Sequence, residues 1–490
     1  MAEYRGGERR RDRRIYRFAG GENPIEGFPM ANEKRREFSL PPEIVEHIHS
    51  FMKGKEAART AIVSKSLYKA WSKRPNLDFD ERHFKRYAIF SEFTKKTMQR
   101  YEDLKVKIES FTLWLKDDFD SPTLADELIV TAMKLGAVDL NINFSSRSKL
   151  LYLPDDVLRS ETLVGLSVTG CRIDLREVTC SKLKSLHLSV VRVKNGDLFR
   201  NLILKCPLIE KLVCADRLLS FKNPRDSENE IHKLQSLSLN LRNREALFFQ
   251  DLLLKFPFLK NLAIGRIYNC RNIRICSQSL ECISLVEPYE AVTAEFDVPN
   301  LRKFHLKGSA FCCLTFETTC GDDWESDIHI MHHQCSASWL SSLRKLLQDL
   351  SLSKVSLSMR VRYPTKYICD YTSCEPIPVV ENLNIMDHVP HSGLLDALFL
   401  ICRPKFVNQY CFAPGNSELL ELLCKKLIDK RSENHCIPNP SMHGLEEVNV
   451  EVFEETIGEW WPLPWKTLLD DVNTQEFRFQ LRWRRETCAP

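Results

Sequence analysis

Leu183-Lys184-Ser185-Leu186-His187-Leu188 follows a simple rule: apolar, two others, apolar, one other, apolar. The rule recurs as LVGLSV from Leu163, IEKLVC from Ile209, LQSLSL from Leu234, LKNLAI from Leu259, LECISL from Leu280 and LRKFHL from Leu301. The starts lie roughly 20 to 26 residues apart, a period of stacked repeat arrays. Side chains alternate along an extended chain, so two of the last three positions face a core and the one between faces out. A single hexamer fits any half-buried strand, but a run of them at one period describes an array. One repeat does not cover its own apolar side, so neighbours stack and share a core. Looser copies start at Ile108, Ala137, Leu347, Val380 and Leu445.

Outward from this array the pattern is less regular. NGDLFRNLILKCP and REALFFQDLLLKFP have helical spacing and end at Pro207 and Pro257. The connections into the strands at Leu280 and Leu301 are too short for much helix and read as turns or coil. In the last third, HSGLLDALFLICRP and NSELLELLCKKLIDK read as helices and QEFRFQLRW as a strand, while EWWPLPWK suits a cover over the end of the stack.

The 490 residues are 43% hydrophobic and 28% charged, with a net charge of +4. That balance gives no argument for nucleic acid as a partner. No apolar run reaches the roughly 18 residues of a spanning helix, and the N-terminal MAEYRGGERRRDRR has no apolar core of a secretory signal. The 18 cysteines therefore read as reduced thiols in the nucleus or cytoplasm, many of them small hydrophobes inside apolar runs. Residues 1–38 read as a disordered basic tail, and its Arg9–Arg14 run as a solvated charged segment, with a nuclear import signal or polyanion contact as the alternative.

A second pattern precedes the array. After Ser39, an N-cap or the residue before one, Leu40-Pro41-Pro42 leads into Ile44, Val45, Ile48, Phe51 and Met52, one apolar face of a helix that Gly54 ends. Lys55–Ile62 and Val63–Trp71 read as two more short helices. So small a unit gains stability by burying an apolar face on something else.

These residues resemble an F-box. The resemblance rests on LPPEI at the start, the Ile48…Phe51 face, AARTAIVSK and Trp71, with RPNLDFDERHF following as it does in plant F-box proteins. Met52-Lys53 and Leu67 depart from the usual Leu-Pro pair and first tryptophan. The array in turn resembles the irregular leucine-rich repeats that follow plant F-boxes, with Cys171 at the repeat's Asn/Cys position. The resemblance implies an α/β chain: a three-helix F-box, then an irregular leucine-rich-repeat solenoid with a parallel sheet. The expected boundaries are 39–84 for the F-box, 104–455 for the repeats and 456–490 for a C-terminal cap. It further implies a substrate-recognition subunit of an SCF-type ubiquitin ligase. An SKP-type adaptor, and through it a cullin, would dock on Leu40, Pro41, Ile44, Val45, Ile48, Phe51, Val63, Leu67 and Trp71. Other readings are a binding scaffold without ubiquitin transfer and a small-molecule sensor.

By strand alternation, a target protein would meet the outward positions, among them Ser185, His187, Ser189, Ser236, Ser238 and Asn240, with Lys303, His305 and Lys307 as a basic end facing an acidic group. Cys312, Cys313, Cys320, His329, His332, His333 and Cys335 have metal-ligand chemistry but contain no C-x2-C pair, so scattered residues in a sheet are the expectation. No phosphate loop, G-x-S-x-G or H-E-x-x-H occurs. The expectation is a non-catalytic chain without a cofactor.

Overall fold

A computed structural model describes residues 40–116, 122–145, 150–174, 178–194, 205–214, 233–242, 253–254, 256–268, 272–288, 292–309, 312–317, 323–364, 376–385, 392–409, 444–454, 457–463 and 477–484. The chain forms two compact units, residues 1–157 and 158–490.

In the first unit, three short helices, α1 (Pro42–Phe51), α2 (Gly54–Thr60) and α3 (Lys65–Ser72), lead into strand β1 (Asn76–Asp80). Helix α4 (Tyr87–Asp103), strand β2 (Ser110–Leu115), helix α5 (Pro122–Lys134) and strand β3 (Asp139–Phe144) follow. Met52 and Lys53 separate the first two helices, and Gly54 opens α2 rather than ending α1. A Cβ at Gly54 would lie 2.3 Å from Asp78 Oδ1, so this close approach requires glycine. The Arg9–Arg14 run and Ser39 lie outside the described residues; α1 begins after Pro41.

β1, β2 and β3 form a parallel sheet, with Asn76 opposite Ser110 and Ser110 opposite Asp139. Alternate residues are buried: Leu77 and Phe79, then Phe111, Leu113 and Leu115, then Leu140, Ile142 and Phe144. The Phe79 ring meets Phe111 edge-on at 5.8 Å. The parallel sheet thus starts inside the stretch assigned to the F-box, at Asn76 and not after Asp103. The repeat rule is hidden there because Arg74 stands where the other repeats place their first apolar residue. Leu77 and Phe79 keep the remaining two positions.

In the second unit, successive strands pair parallel with the next in sequence. They are Gly165–Thr169, Ser185–Ser189, Lys211–Cys214, Ser236–Arg242, Asn261–Tyr268, Cys282–Val286, Lys303–Gly308, Glu325–Cys335, Lys354–Pro364, Val379–Ile385 and Arg403–Gln409. This is the sequential stacking that the repeat period requires. From Leu166 and Val168 to Ile328 and Ile330, the inward positions are buried.

The short connections are not turns or coil. Asn272–Cys276, Val292–Asp297 and Cys312–Phe316 form a second parallel sheet, and Cys171–Asp174 pairs with Arg192–Lys194 in the same way. Ile273, Ile275, Ala294 and Phe296 of this sheet are buried, with Phe296 5.7 Å from the Phe304 ring of the main sheet. To reverse from one sheet to the other the chain turns a left-handed corner. Gly170 (φ 75°), Val190 (52°) and Glu287 (52°) each sit just past the end of a repeat strand, and Arg266 (49°) sits at the equivalent position within Asn261–Tyr268. A side chain in that region costs about 1–2 kcal/mol, so the stack holds three of these corners against local preference.

Two looser copies of the repeat are something else. Leu347–Asp349 closes the helix Ala337–Asp349, whose Leu343, Leu346 and Leu347 are buried at helical spacing. Leu445–Glu454 pairs antiparallel with Phe477–Trp483, which in turn pairs antiparallel with Arg403–Gln409. Together with Glu459–Pro462, these strands end the parallel stack, so the terminal structure begins at Leu445 rather than after residue 455. Most of NGDLFRNLILKCP and REALFFQDLLLKFP and all of NSELLELLCKKLIDK lie outside the described residues; Ser392–Ile401 is helical as its spacing implies.

Cys171, Cys180, Cys206, Cys214, Cys312 and Cys402 are buried free thiols, and burial pushes Cys171 and Cys402 up to about 12. They act as small apolar side chains. Among the described residues, no helix is long and apolar enough to cross a membrane.

A fragment starting near Leu104 would lose β1 and leave the edge of β2 unpaired. Unpaired strand edges recruit other chains. Such a fragment is expected to aggregate during size-exclusion chromatography, whereas the full chain should elute without aggregate.

Candidate docking surfaces

The three N-terminal helices are held by polar residues of the strand that follows them. Arg74 is buried and donates from Nη2 to the Met52 carbonyl at 2.8 Å, while Nη1 lies 3.4 Å from Asp78. Asn76 donates to the Ser50 carbonyl at 2.7 Å, and Gly54 N–H donates to Asp78 Oδ2 at 3.2 Å. The Tyr101 hydroxyl of α4 donates to the Arg74 carbonyl at 3.0 Å. The end of α1 and the start of α2 are thus satisfied by β1 and the residues before it, where backbone groups would otherwise lack partners.

His49 ties α1 to α2. Its Nε2 lies 3.2 Å from Thr60 Oγ1, which gives its own proton to the Ala57 carbonyl at 2.9 Å, so Nε2–H is the donor. Burial, and then the Arg74 charge, lowers the His49 pKa from its ordinary 6.5. The sequence reading missed His49, Arg74, Asn76 and Asp78; their signal was polar residues beside an apolar alternation.

The apolar residues of the module divide into two sets. Val45 is buried, at 4% exposure, and belongs to the helices' own core. Leu67 and Trp71 are half-buried, with the Arg100 guanidinium 5.3 Å from the Trp71 ring. Leu40, Pro41, Ile44, Ile48, Phe51 and Val63 are exposed, Phe51 at 77% and Val63 at 78%. Ile44, Ile48 and Phe51 recur every three or four residues, so they line one stripe of α1, and exposed Leu40 lies just before the helix. Ile62, 78% exposed, and Tyr68 add to the exposed apolar residues and were not in the expected set. Exposed apolar side chains gathered on so small a module mark an interaction surface.

On the repeat sheet, Ser185, His187 and Ser189, then Ser236, Ser238 and Asn240, stand at the outward positions between buried leucines. Ser185 is in register with Lys211 and Lys211 with Ser236, so they share one row. Burial and the charge of Lys211 lower the His187 pKa. Lys303, His305 and Lys307 also face outward, but the basic end is not open. Lys303 pairs with Glu325 at 3.6 Å, and Asp327 lies 3.6 Å from His305 and 3.2 Å from His329. The next strand thus supplies a carboxylate to Lys303, one of the two lysines expected to face an acidic partner. Farther along, Ser358 and Asn384 are buried and hydrogen-bonded to each other at 3.1 Å, so the outward face closes there.

The cysteine-histidine group is spread over two sheets. Cys312 faces the core and Cys313 faces outward on the second sheet, whereas His329 stands on the main sheet beside Asp327. Among the described residues, no cluster of three or more such side chains is placed to hold a metal ion. Cys320 and the side chains of residues 332–335 lie outside them.

A three-helix module with an exposed apolar stripe, followed by sequentially stacked parallel strands, is consistent with an F-box joined to leucine-rich repeats. The F-box domain matches residues 38–79. A putative F-box/LRR-repeat protein of Arabidopsis thaliana is 28% identical over 198 residues, 36% of each chain. Two other Arabidopsis F-box/LRR-repeat proteins are 26% identical over 351 residues, 87% of that relative, and 33% identical over 189 residues, 56% of that relative. The chain spans about a third of the length of the first relatives it matches, 36% and 30%. The domain and these relatives support a plant F-box/leucine-rich-repeat family for this chain.

Because His49 binds its proton less readily when folded, its contribution to stability is full above about pH 6.5 and is lost as pH falls through the lowered folded value. The thermal midpoint of the full chain is therefore expected to drop between about pH 7.5 and about pH 5.5. His49→Gln should flatten that drop; an unchanged pH profile in this variant would show that another group governs it.

Proposed function

We propose that this chain is the substrate-recognition subunit of an SCF-type ubiquitin ligase in the nucleus or cytoplasm, with no bond-making chemistry of its own. The single observation that carries the reading is the exposed apolar stripe of Leu40, Ile44, Ile48 and Phe51 on the matched F-box domain. An SKP-type adaptor would bury this stripe and so link the chain to a cullin. The stacked sheet would hold a target protein near the ubiquitin-charged enzyme, contributing by proximity. The outward row through Ser185 and Ser236 suits a partner that approaches the sheet closely at its serines, which flank the exposed Lys211. The Lys303 charge, already paired with Glu325, adds little attraction for an acidic partner there.

Ile48→Asp and Phe51→Asp are expected to abolish co-purification with an SKP-type adaptor, since anchors at the centre of an interface cost more than roughly 2 kcal/mol each. Circular dichroism should remain unchanged, because both side chains are exposed. Retained adaptor binding in both variants would overturn the ligase reading. Paired substitutions Ser185→Arg and Ser189→Arg should instead spare the adaptor and remove target capture, measured by proximity labelling with the proteasome blocked. Capture that survives them moves the target off this row.

A further inference from the structure

A second surface of the repeat unit has a more specific chemistry than the small-residue face. Just before each strand, the second residue of the repeat extends the parallel ladder. Gln235 N–H donates to the Glu210 carbonyl, Lys260 to Gln235, Glu281 to Lys260 and Arg302 to Glu281, at 2.8–2.9 Å. These side chains form one row across successive repeats. Two residues earlier, Lys233, Phe258, Ser279 and Asn300 form another. Between the rows lies an open groove of about 690 Å³, within the size range of ligand sites.

Its charges are unevenly spent. Lys260 is paired with Glu281 at 3.0 Å, and Glu210 with Lys184 at 3.3 Å. The Asn300 amide donates to the Gln278 carbonyl at 2.7 Å, and the Ser279 hydroxyl to the Leu259 carbonyl at 2.9 Å. Arg302 adds to the positive field at Glu281, yet among the described residues neither Arg302 nor Lys233 has a carboxylate within ion-pair distance. Among the described residues the groove therefore carries, at each end, a cation without an ion-pair partner. Phe258, 56% exposed, stands between them.

We propose that this groove docks an extended segment of the target protein that carries an acidic side chain, an apolar one and a second acidic one on the same side. The proposal rests on the receptor reading above and adds the chemistry of the recognised segment. The repeats of Lys233 and Arg302 are three strand spacings apart, about 14 Å. An extended peptide covers that in about four residues, and residues i, i+2 and i+4 point the same way. An Asp-x-Phe-x-Asp segment running across the strands sets its first carboxylate at Lys233, its ring on Phe258 and its last carboxylate at Arg302. A nucleic-acid strand matches less well, because Glu210 and Glu281 line the same groove and repel a continuous polyanion.

The test uses the full chain and the fluorescein-labelled peptide Gly-Asp-Ser-Phe-Ser-Asp-Gly, read by fluorescence anisotropy. Saturable binding is expected, weakened at least tenfold by Arg302→Glu, by Phe258→Ser, and by a peptide with both aspartates replaced by asparagine. Restored affinity of Arg302→Glu for a peptide with its second aspartate replaced by lysine would fix the direction of docking. Three results overturn the proposal: no saturation up to about 1 mM peptide, equal affinity for the asparagine peptide, or binding unmoved by both variants. Tighter binding of a labelled oligo-uridine than of the peptide would replace the acidic segment with nucleic acid. Adaptor co-purification is measured on the same preparations. Its retention alongside a failed peptide assay removes the groove and leaves the receptor reading standing.

Discussion

The structure depends on one constraint: a strand with two apolar residues on one face has too little chain of its own to cover them. Leu186 and Leu188 are buried because Leu166 and Val168 flank them on one side and Leu212 and Cys214 on the other, in register. Each buried aliphatic side chain contributes roughly 1.5–3 kcal/mol. A strand displaced by one residue would expose its leucines and bury its serines and lysines. Register and stacking are therefore one requirement, and it propagates from repeat to repeat.

The same requirement explains the left-handed corners. The core needs a second side, and the short connections supply it by reversing into a second parallel sheet. Gly170 meets the corner's backbone conformation without strain, but Val190, Arg266 and Glu287 do not. Their strain is held by the packing on both sides, as between Phe296 and Phe304. Where the stack ends, the antiparallel strand Phe477–Trp483 takes up the backbone groups that Arg403–Gln409 would otherwise leave unpaired, and Leu445–Glu454 pairs with it in turn.

At the other end, polar contacts replace apolar stacking. Arg74 occupies the position of a repeat's first leucine and is buried like one, but it spends its guanidinium on the Met52 carbonyl and Asp78. The consequence is a division of labour among the helices' apolar residues. Arg74, Asn76 and Asp78 hold the helices to the strand and His49 ties α1 to α2, so the exposed apolar residues from Leu40 to Phe51 are not needed for internal packing.

The sequence by itself determined the repeat period, the inward and outward positions of the strands and the helical module before them. Each depends on short-range spacing, which a chain cannot hide. It also carried the resemblance that the matched domain supports. Only the tertiary structure decided which apolar residues of the module are free, because Val45 and Ile48 have the same chemistry and differ only in what surrounds them. Only the structure revealed β1, whose leading position holds an arginine that becomes a core residue through partners distant in sequence. Glu325 pairs with Lys303, Lys233 and Arg302 flank one groove, and the sequence alone places neither arrangement. They arise when residues about 20 to 70 positions apart are stacked side by side by a core that no single repeat can close.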